Sequence, residues 1–311
     1  MRLDGIGDAA VCTPLVAALR AAGHEVGVAL TTRNAGLFAS HAIVAEHVLE
    51  RIPWPEHGST EESTARANAE IAEQRYDAAL IASEEPEAYQ LAAPIRVRVG
   101  FTTGIATRPL KTLWVRSRVT RTVRRDQHEG AQGEHEVETM YRLGAGFVRT
   151  PLPPVDLPSL RDSLLEDGWV VRHNESAVLQ AGPKWRVAGV ADAVLYRLVE
   201  RLLPDGLRVL AGPGDADQVR AVLGLEPEVC ADLRSWVDVL AHASTVITVD
   251  TGAAHVAGML GPHVVDVFPD ADFEAQVRRW RPWVSPYRAF RASDVNAGGG
   301  DELAEVVLDG F

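Results

Sequence analysis

The sequence predicts an α/β protein in two lobes, and three observations predict it. Short apolar runs alternate with helical patterns in both halves of the chain, which implies mostly parallel sheets covered by helices on both faces. Pro151, Pro153, Pro154 and Pro158 fall close together, a density that disfavours helix and central strand alike and marks a linker. A chain of 311 residues also exceeds one typical domain, and two lobes of about 150 residues are the natural division. The expected plan is a first domain over 1–150, a linker over 151–158, and a second domain over 159–311 that ends in a closing helix. Each domain reads as Rossmann-like, and the two are expected to face a cleft.

Taken in order, Met1-Arg2-Leu3 reads as a very short strand. It runs into a Gly5-Ile6-Gly7 turn, where glycine lets the backbone bend tightly, and then into an apolar helix over 13–22. A strand over 27–30 follows. Ser59 and Glu62 have capping-box spacing and open a helix that continues to Arg75. Residues 77–82 and 95–101 read as buried strands, and 134–143 as a helix. Past the prolines come strand 177–181, helix 189–203, strand 207–211, helices 215–223 and 235–242, strand 246–249, helix 253–260 and strand 263–268. Gly298-Gly299-Gly300 then breaks the chain before a last helix that Asp301 caps. No repeat, low-complexity tract or heptad pattern interrupts this alternation.

The composition, 46% hydrophobic and 24% charged, suits a soluble protein with substantial cores. No secretory start and no run of about 18 apolar residues is present, so a cytoplasmic location is expected. Cys12 and Cys230 are far apart and make no metal-ligand spacing, so no metal site is expected. A net charge of -12 argues against nucleic-acid binding. One segment opposes that balance: Arg108, Lys111, Arg116, Arg118, Arg121, Arg124 and Arg125 lie among Leu110, Leu113, Trp114 and Val115. It reads equally as a solvated basic face and as an attractor for a phosphorylated acceptor or an anionic membrane surface.

Two turns stand out as candidate chemistry. Asp8 follows the first strand, at the strand end where open α/β sheets place ligands. A carboxylate there repels a pyrophosphate, so the turn suits a general base better than a phosphate cradle. Asp8 is equally a helix N-cap, and the two roles coexist if one oxygen caps. The second turn, Asp250-Thr251-Gly252, leads from a β-rich run into a small-residue helix carrying His255. A helix start offers free N–H groups and partial positive charge, a natural diphosphate seat. Lys184-Trp185 follows strand 177–181, and a lysine at that place neutralises a leaving diphosphate. The dense Arg278-Arg279-Trp280-Arg281-Pro282-Trp283 run reads as a wall over a ligand or as packing. No zinc pattern, Walker loop or nucleophile elbow occurs.

At these residues the chain resembles glycosyltransferase family nine, the ADP-heptose:lipopolysaccharide heptosyltransferases. The resemblance rests on Arg2-Leu3 through Ile6-Gly7-Asp8, Thr13-Pro14 and Leu19-Arg20. It continues through His135, Tyr141-Arg142-Leu143 and Gly144, through Lys184-Trp185, and through Asp250-Thr251-Gly252 with His255-Val256-Ala257. It implies a GT-B fold with the acceptor on the first lobe and a nucleotide-sugar donor on the second. It implies inverting transfer with no cofactor and no obligatory metal, Asp8 acting as base. On the donor side it implies Lys184, Trp185, Asp250, Thr251, Gly252 and His255 around an ADP-sugar, with ADP-heptose the family default. On the acceptor side it implies Gly7, Arg108, Lys111, Arg116 and Arg118 near an anionic glycolipid or saccharide, with peripheral contact at an inner-membrane surface. This sequence departs from the family in its short first strand. It also has Pro269-Asp270-Ala271-Asp272 where the family has a Gly-rich turn, and its Lys-x-Trp element lacks the middle residue. A nucleotide-sugar epimerase and a non-catalytic nucleotide-sugar-binding relative stand as the rival readings. A dinucleotide-dependent dehydrogenase is disfavoured, because Asp8 occupies the anion's place.

Overall fold

The structure, a computed structural model, describes residues 1–52, 58–103, 108–125, 133–170 and 176–309. The chain forms two compact units. Unit 1 is Met1–Glu129, Glu136–Pro154 and Asp162–Glu166; unit 2 is Gly130–His135, Val155–Arg161 and Asp167–Phe311.

Unit 1 opens with α1 (Ile6–Ala10), α2 (Thr13–Ala21), β1 (Gly27–Thr31) and β2 (Ala45–Leu49). A short antiparallel pair, β3 (Arg51–Ile52) and β4 (Gly58–Ser59), leads to α3 (Glu61–Gln74) and β5 (Ala78–Ile81). Then come α4 (Pro86–Ala92), β6 (Val97–Thr102), α5 (Pro109–Arg116), β7 (Arg121–Arg124) and α6 (Glu136–Leu143). Thr60, rather than Ser59, caps α3: it is extended, and its Oγ1 accepts from Ser63 N at 3.1 Å.

The expected first strand is corrected, since residues 1–3 form no regular strand. They nevertheless join two parallel sheets, β1 with β2 and β5 with β6 with β7. Arg2 N donates to Ala29 O on β1 at 2.9 Å, and Ala82 N donates to Met1 O at 3.0 Å. The Met1 ammonium donates to Leu80 O on β5 at 2.9 Å. Across the unit the order is therefore β2, β1, residues 1–3, β5, β6, β7. Leu3, Ala29, Leu49, Ile71, Ile81 and Leu91 pack one core of this layer, against α3 and α4.

Beyond the prolines runs α7 (Leu157–Leu164), capped by Asp156, whose Oδ1 accepts from Ser159 N at 3.0 Å. Pro158 sits in its first turn, where the missing N–H breaks no helical bond. It therefore opens a helix instead of interrupting one. Unit 2 continues with β8 (Ala177–Ala181), α8 (Lys184–Ala188), α9 (Asp192–Leu202), β9 (Arg208–Ala211), α10 (Ala216–Leu223) and α11 (Leu233–His242). Next are β10 (Thr245–Val249), α12 (Gly252–Leu260), β11 (His263–Phe268), α13 (Phe273–Trp280), β12 (Tyr287–Arg291), α14 (Ala292–Ala297) and α15 (Asp301–Asp309). The helix expected over 189–203 is α9, which starts only at Asp192, and a short helix not expected from the sequence, α8, precedes it. Gly189, at φ 98°, ends α8 in a left-handed conformation that favours glycine. Asp301 is the first residue of α15, and its carboxylate pairs with Arg201 at 2.8 Å.

The five strands of unit 2 are all parallel, in the order β12-β11-β10-β8-β9. Leu179, Trp185, Leu198, Ile247, Val265, Val267 and Phe290 fill one side of the sheet. The fold is α/β, with parallel sheets in two lobes, as the sequence predicts. Among the described residues no helix is long and apolar enough to cross a membrane.

Candidate functional site

In both units the chain leaves its first strand segment, adds strands on one side, and later returns to the other side. In unit 1 that reversal lies between β1 and β5, at residues 1–3. In unit 2 it lies between β9 and β10, at β8. Parallel sheets open a crevice at such a point, beyond the strands' carboxyl ends. The residues following Leu3, Ala181 and Val249 therefore deserve the chemical reading first.

In unit 1 those residues are Asp4, Gly5 and Asp8, gathered around a buried guanidinium. Arg2 Nη2 donates to Asp8 Oδ1 at 2.5 Å, and Arg2 Nε lies 3.0 Å from Asp4 Oδ2. Arg2 Nη1 also donates to Ala82 O. Burial opposes the Arg2 charge, but the Asp8 and Asp4 carboxylates outweigh it and raise its pKa. Burial also raises the Asp4 pKa, against the pull of Arg2. Asp8 Oδ2 accepts from Gly5 N at 3.2 Å, closing the start of α1. One oxygen thus caps while the other meets Arg2. The Asp8 side chain remains 34% exposed.

The Gly5-Ile6-Gly7 turn is corrected in its reason. Neither glycine is left-handed; Gly5 is the N-cap of α1 and Gly7 is buried inside it. A Cβ on Gly5 would stand 3.3 Å from Asp8 Oδ2, so the glycine makes room for the carboxylate. Sequence reasoning missed Asn34, which pins this loop. Its Nδ2 donates to Arg2 O, Asp4 O and Gly5 O, each at 3.3 Å, while its Oδ1 accepts from Thr31 N at 2.8 Å. The only signal was a polar cluster, Thr31-Thr32-Arg33-Asn34, closing a strand.

The basic segment is partly neutralised. Lys111 Nζ meets Glu84 at 2.5 Å, and Arg125 is held by the buried Glu136 at 2.5 Å. Arg118 lies over the Trp114 ring at 4.0 Å. Arg108 and Arg116 are exposed at the two ends of α5, and between them Leu110 and Leu113 are 82% and 56% exposed.

In unit 2, β8 and β10 are neighbours, so Lys184 and Thr251-Gly252 stand beyond the carboxyl ends of adjacent parallel strands. Lys184 is exposed at the start of α8. Thr251 caps α12: its Oγ1 accepts from Ala253 N at 3.3 Å and lies 3.0 Å from Thr248 Oγ1. That leaves the Gly252 amide at a nine-residue helix start, where intrahelical partners are lacking. His255 is buried against Trp280, ring centroids 5.4 Å apart. Its Nε2 is 3.5 Å from Asp250 Oδ1. Trp185, expected on the donor side, lies in the core, its Nε1 donating to Gln180 O at 2.8 Å.

Within the Arg278–Trp283 run the rings pack on histidines. Trp280 meets His255, and Trp283 meets His135 at 4.8 Å. His135 Nε2 lies 2.9 Å from Arg281 O, and burial lowers its pKa to about 4, so it is neutral and structural. Asp270 turns to α14, accepting from Ser293 N at 3.1 Å. Asp266 was missed entirely. It lies in mid-β11 beside Thr248, fully buried, with neither oxygen hydrogen-bonded among the described residues. Burial, with the Asp250 charge, pushes its pKa well up. The signal was a lone carboxyl inside the apolar run 263–268. Among the described residues no three His, Cys, Asp or Glu gather as a metal site.

Known proteins resemble this chain in one segment of sequence and in fold. The family description Glycosyltransferase family 9 (heptosyltransferase) matches residues 216–298, a segment that includes Asp250-Thr251-Gly252 and His255. The solved structure of E. coli heptosyltransferase WaaC with ADP is 17% identical. It superposes with a TM-score of 0.72 over 98% of each chain. E. coli ADP-heptose lps heptosyltransferase II is 14% identical, with a TM-score of 0.66 over 99% of each chain. A putative UDP-N-acetylglucosamine 2-epimerase from Listeria monocytogenes reaches 0.52 at 14% identity, covering 100% of this chain and 87% of that one. No curated protein matches. The fold is that of GT-B glycosyltransferases. Within that class the likeness is to the family 9 heptosyltransferases.

Proposed function

We propose that this protein is an inverting glycosyltransferase that moves a sugar from an ADP-sugar to a hydroxyl of an anionic glycolipid or saccharide. The observation that carries this reading is the pairing of β8 with β10 at the strand-order reversal of unit 2. It sets the Lys184 ammonium and the Gly252 amide at one sheet edge, cationic and hydrogen-bonding groups suited to a leaving diphosphate. Asp250, 3.5 Å from His255, suits contact with sugar hydroxyls. In unit 1, Asp8 removes the proton of the attacking acceptor hydroxyl, and Arg2 holds the carboxylate in place. Displacement at the anomeric carbon forms the new glycosidic bond and releases ADP, with no cofactor required. Arg108, Arg116 and the exposed leucines of α5 suit an anionic lipid-borne acceptor and peripheral contact with its membrane on the cytoplasmic side.

Calorimetric titration with ADP, UDP and GDP tests the donor side. Selective ADP binding, weakened about 10-fold or more in Lys184→Ala, is the expected result. Equal binding of all three, or no effect of the substitution, would overturn the assignment. Incubating an ADP-sugar without acceptor separates transfer from the epimerase reading, since only an epimerase would isomerise the sugar.

A further inference from the structure

Asp266 is a carboxyl that the proposed chemistry leaves unused, and its place in the sheet ties it to the donor side of unit 2. Successive side chains of a strand point to opposite faces. Val265 and Val267 join Ile247 and Val249 in the core on one face, so Asp266 and Thr248 share the other. Helix α12 packs on β10 and β11 with residues 253–260 buried, and none of these belongs to the core of the first face. It therefore covers the face that carries Asp266. Thr248 is the register partner of Asp266. Its Oγ1 lies 3.0 Å from Thr251 Oγ1, which accepts from Ala253 N. Neighbouring strands run about 5 Å apart, which sets the carboxyl within roughly 10 Å of the Gly252 amide.

The charged groups around Asp266 are engaged elsewhere. Among the described residues neither of its oxygens has a hydrogen-bond partner. The one titratable side chain of α12, His255, stands 3.5 Å from Asp250. On β12, Tyr287 and Arg291 flank Ala289, the register partner of Asp266, on the same face. Arg291 pairs with Glu274 of α13 at 3.2 Å. Arg279 lies over the Trp280 ring at 4.6 Å, and Arg278 is exposed. Burial first, and then the charge of Asp250, favour the neutral acid at Asp266.

Given the diphosphate seat proposed at Gly252, on which this depends, we infer that Asp266 makes donor binding proton-coupled. As a neutral acid it leaves the start of α12 open to an anion; as a carboxylate it repels one. A buried charge is little screened by salt. At about 10 Å and an effective dielectric near 20, one unit charge opposes each charge of a ligand by roughly tenfold in affinity. The coupling is reciprocal: a bound diphosphate favours the neutral acid, so binding takes up a proton wherever free Asp266 is ionised. That proton comes from the buffer and rests on a carboxyl oxygen, and no bond of the donor changes. Asp266 acts through the field alone, without touching the ligand.

The test titrates ADP calorimetrically into the wild-type protein, Asp266→Asn and Asp266→Val, from about pH 5.5 to about pH 9.5, in two buffers of different ionisation enthalpy. His255 and the ADP phosphate titrate in all three proteins, so the difference between them isolates Asp266. The three are expected to bind alike at the acid end. At the alkaline end the wild type is expected to bind about 10-fold more weakly than either variant, and to take up more protons on binding. Thermal unfolding at each pH establishes that each protein is folded, and the valine variant carries the comparison if the asparagine variant is not. Parallel pH profiles, or equal proton uptake, would overturn the proposal. So would variants weaker than the wild type by one factor at every pH, which marks a structural role. Absence of ADP binding in all three at every pH would remove the donor seat itself, and the coupling with it.

Discussion

The two units place their candidate residues at equivalent points of equivalent sheets, yet treat charge in opposite ways. Unit 1 closes its charges on one another: Arg2 is shared by Asp4 and Asp8, and Arg125 by Glu84 and Glu136. Unit 2 leaves its chemistry open. Lys184 is exposed, α12 begins with an amide lacking a helical partner, and Asp266 lies buried with no hydrogen bond among the described residues. A catalytic base gains from being held still, and an anion seat gains from being unfilled until the anion arrives. On the proposed function the same strand-end position serves two purposes, according to whether its neighbours neutralise it.

Replacing Asp8 gives the sharpest break. Asp8→Ala is expected to lower kcat for transfer by about 10²–10⁴-fold with ADP affinity essentially unchanged. Product formation and calorimetry on the same sample decide it, and a joint loss would make Asp8 a structural cap. Next in size is Arg2→Met, which strands two carboxylates beside each other. About 3–5 kcal/mol of stability should be lost in urea unfolding, and adding Asp4→Asn should restore part. If it restores none, packing rather than charge explains the loss.

In unit 2 the expected sign is reversed. Asp266→Val should stabilise by about 1–3 kcal/mol, because an orphaned polar group leaves the core. The folded pKa of Asp266 lies above its ordinary value of 3.8. Stability is therefore full below that value and falls as pH rises through the folded pKa. The variant should flatten this decline, with its largest advantage at alkaline pH; a uniform gain at every pH would point to packing alone. Smallest is Arg116→Glu on α5, expected to weaken co-sedimentation with phosphatidylserine-containing vesicles about 5-fold and to leave neutral vesicles unaffected. No change on either would leave the basic face merely solvated.

Much of this was legible because the signals are local. Small residues from Gly252 to Ala257 mark a helix start that a ligand approaches. Alternating apolar runs mark parallel strands, and the Asp8 turn reads as both cap and base. Other features were not legible because they depend on partners distant in the chain. The burial of Trp185 is one: beside Lys184 in sequence it reads as a donor-side residue, and in the fold its indole donates to Gln180 O from the core. Asn34 is an ordinary turn residue until residues 2–5 are brought to it.

The sequence by itself determined the α/β class and the carboxylate, lysine and helix start that carry the proposed chemistry. Periodicity, capping and turn residues act within a few positions of one another, and one sequence suffices to read them. Only the tertiary structure decided the strand order, and with it the reversal that sets Lys184 and Thr251 past the ends of neighbouring strands. It also decided the sharing of Arg2 between two carboxylates and the burial of Asp266. Each arises where backbones or charges far apart in the chain meet in a water-poor interior. There a hydrogen bond or ion pair is strong when made and costly when missing.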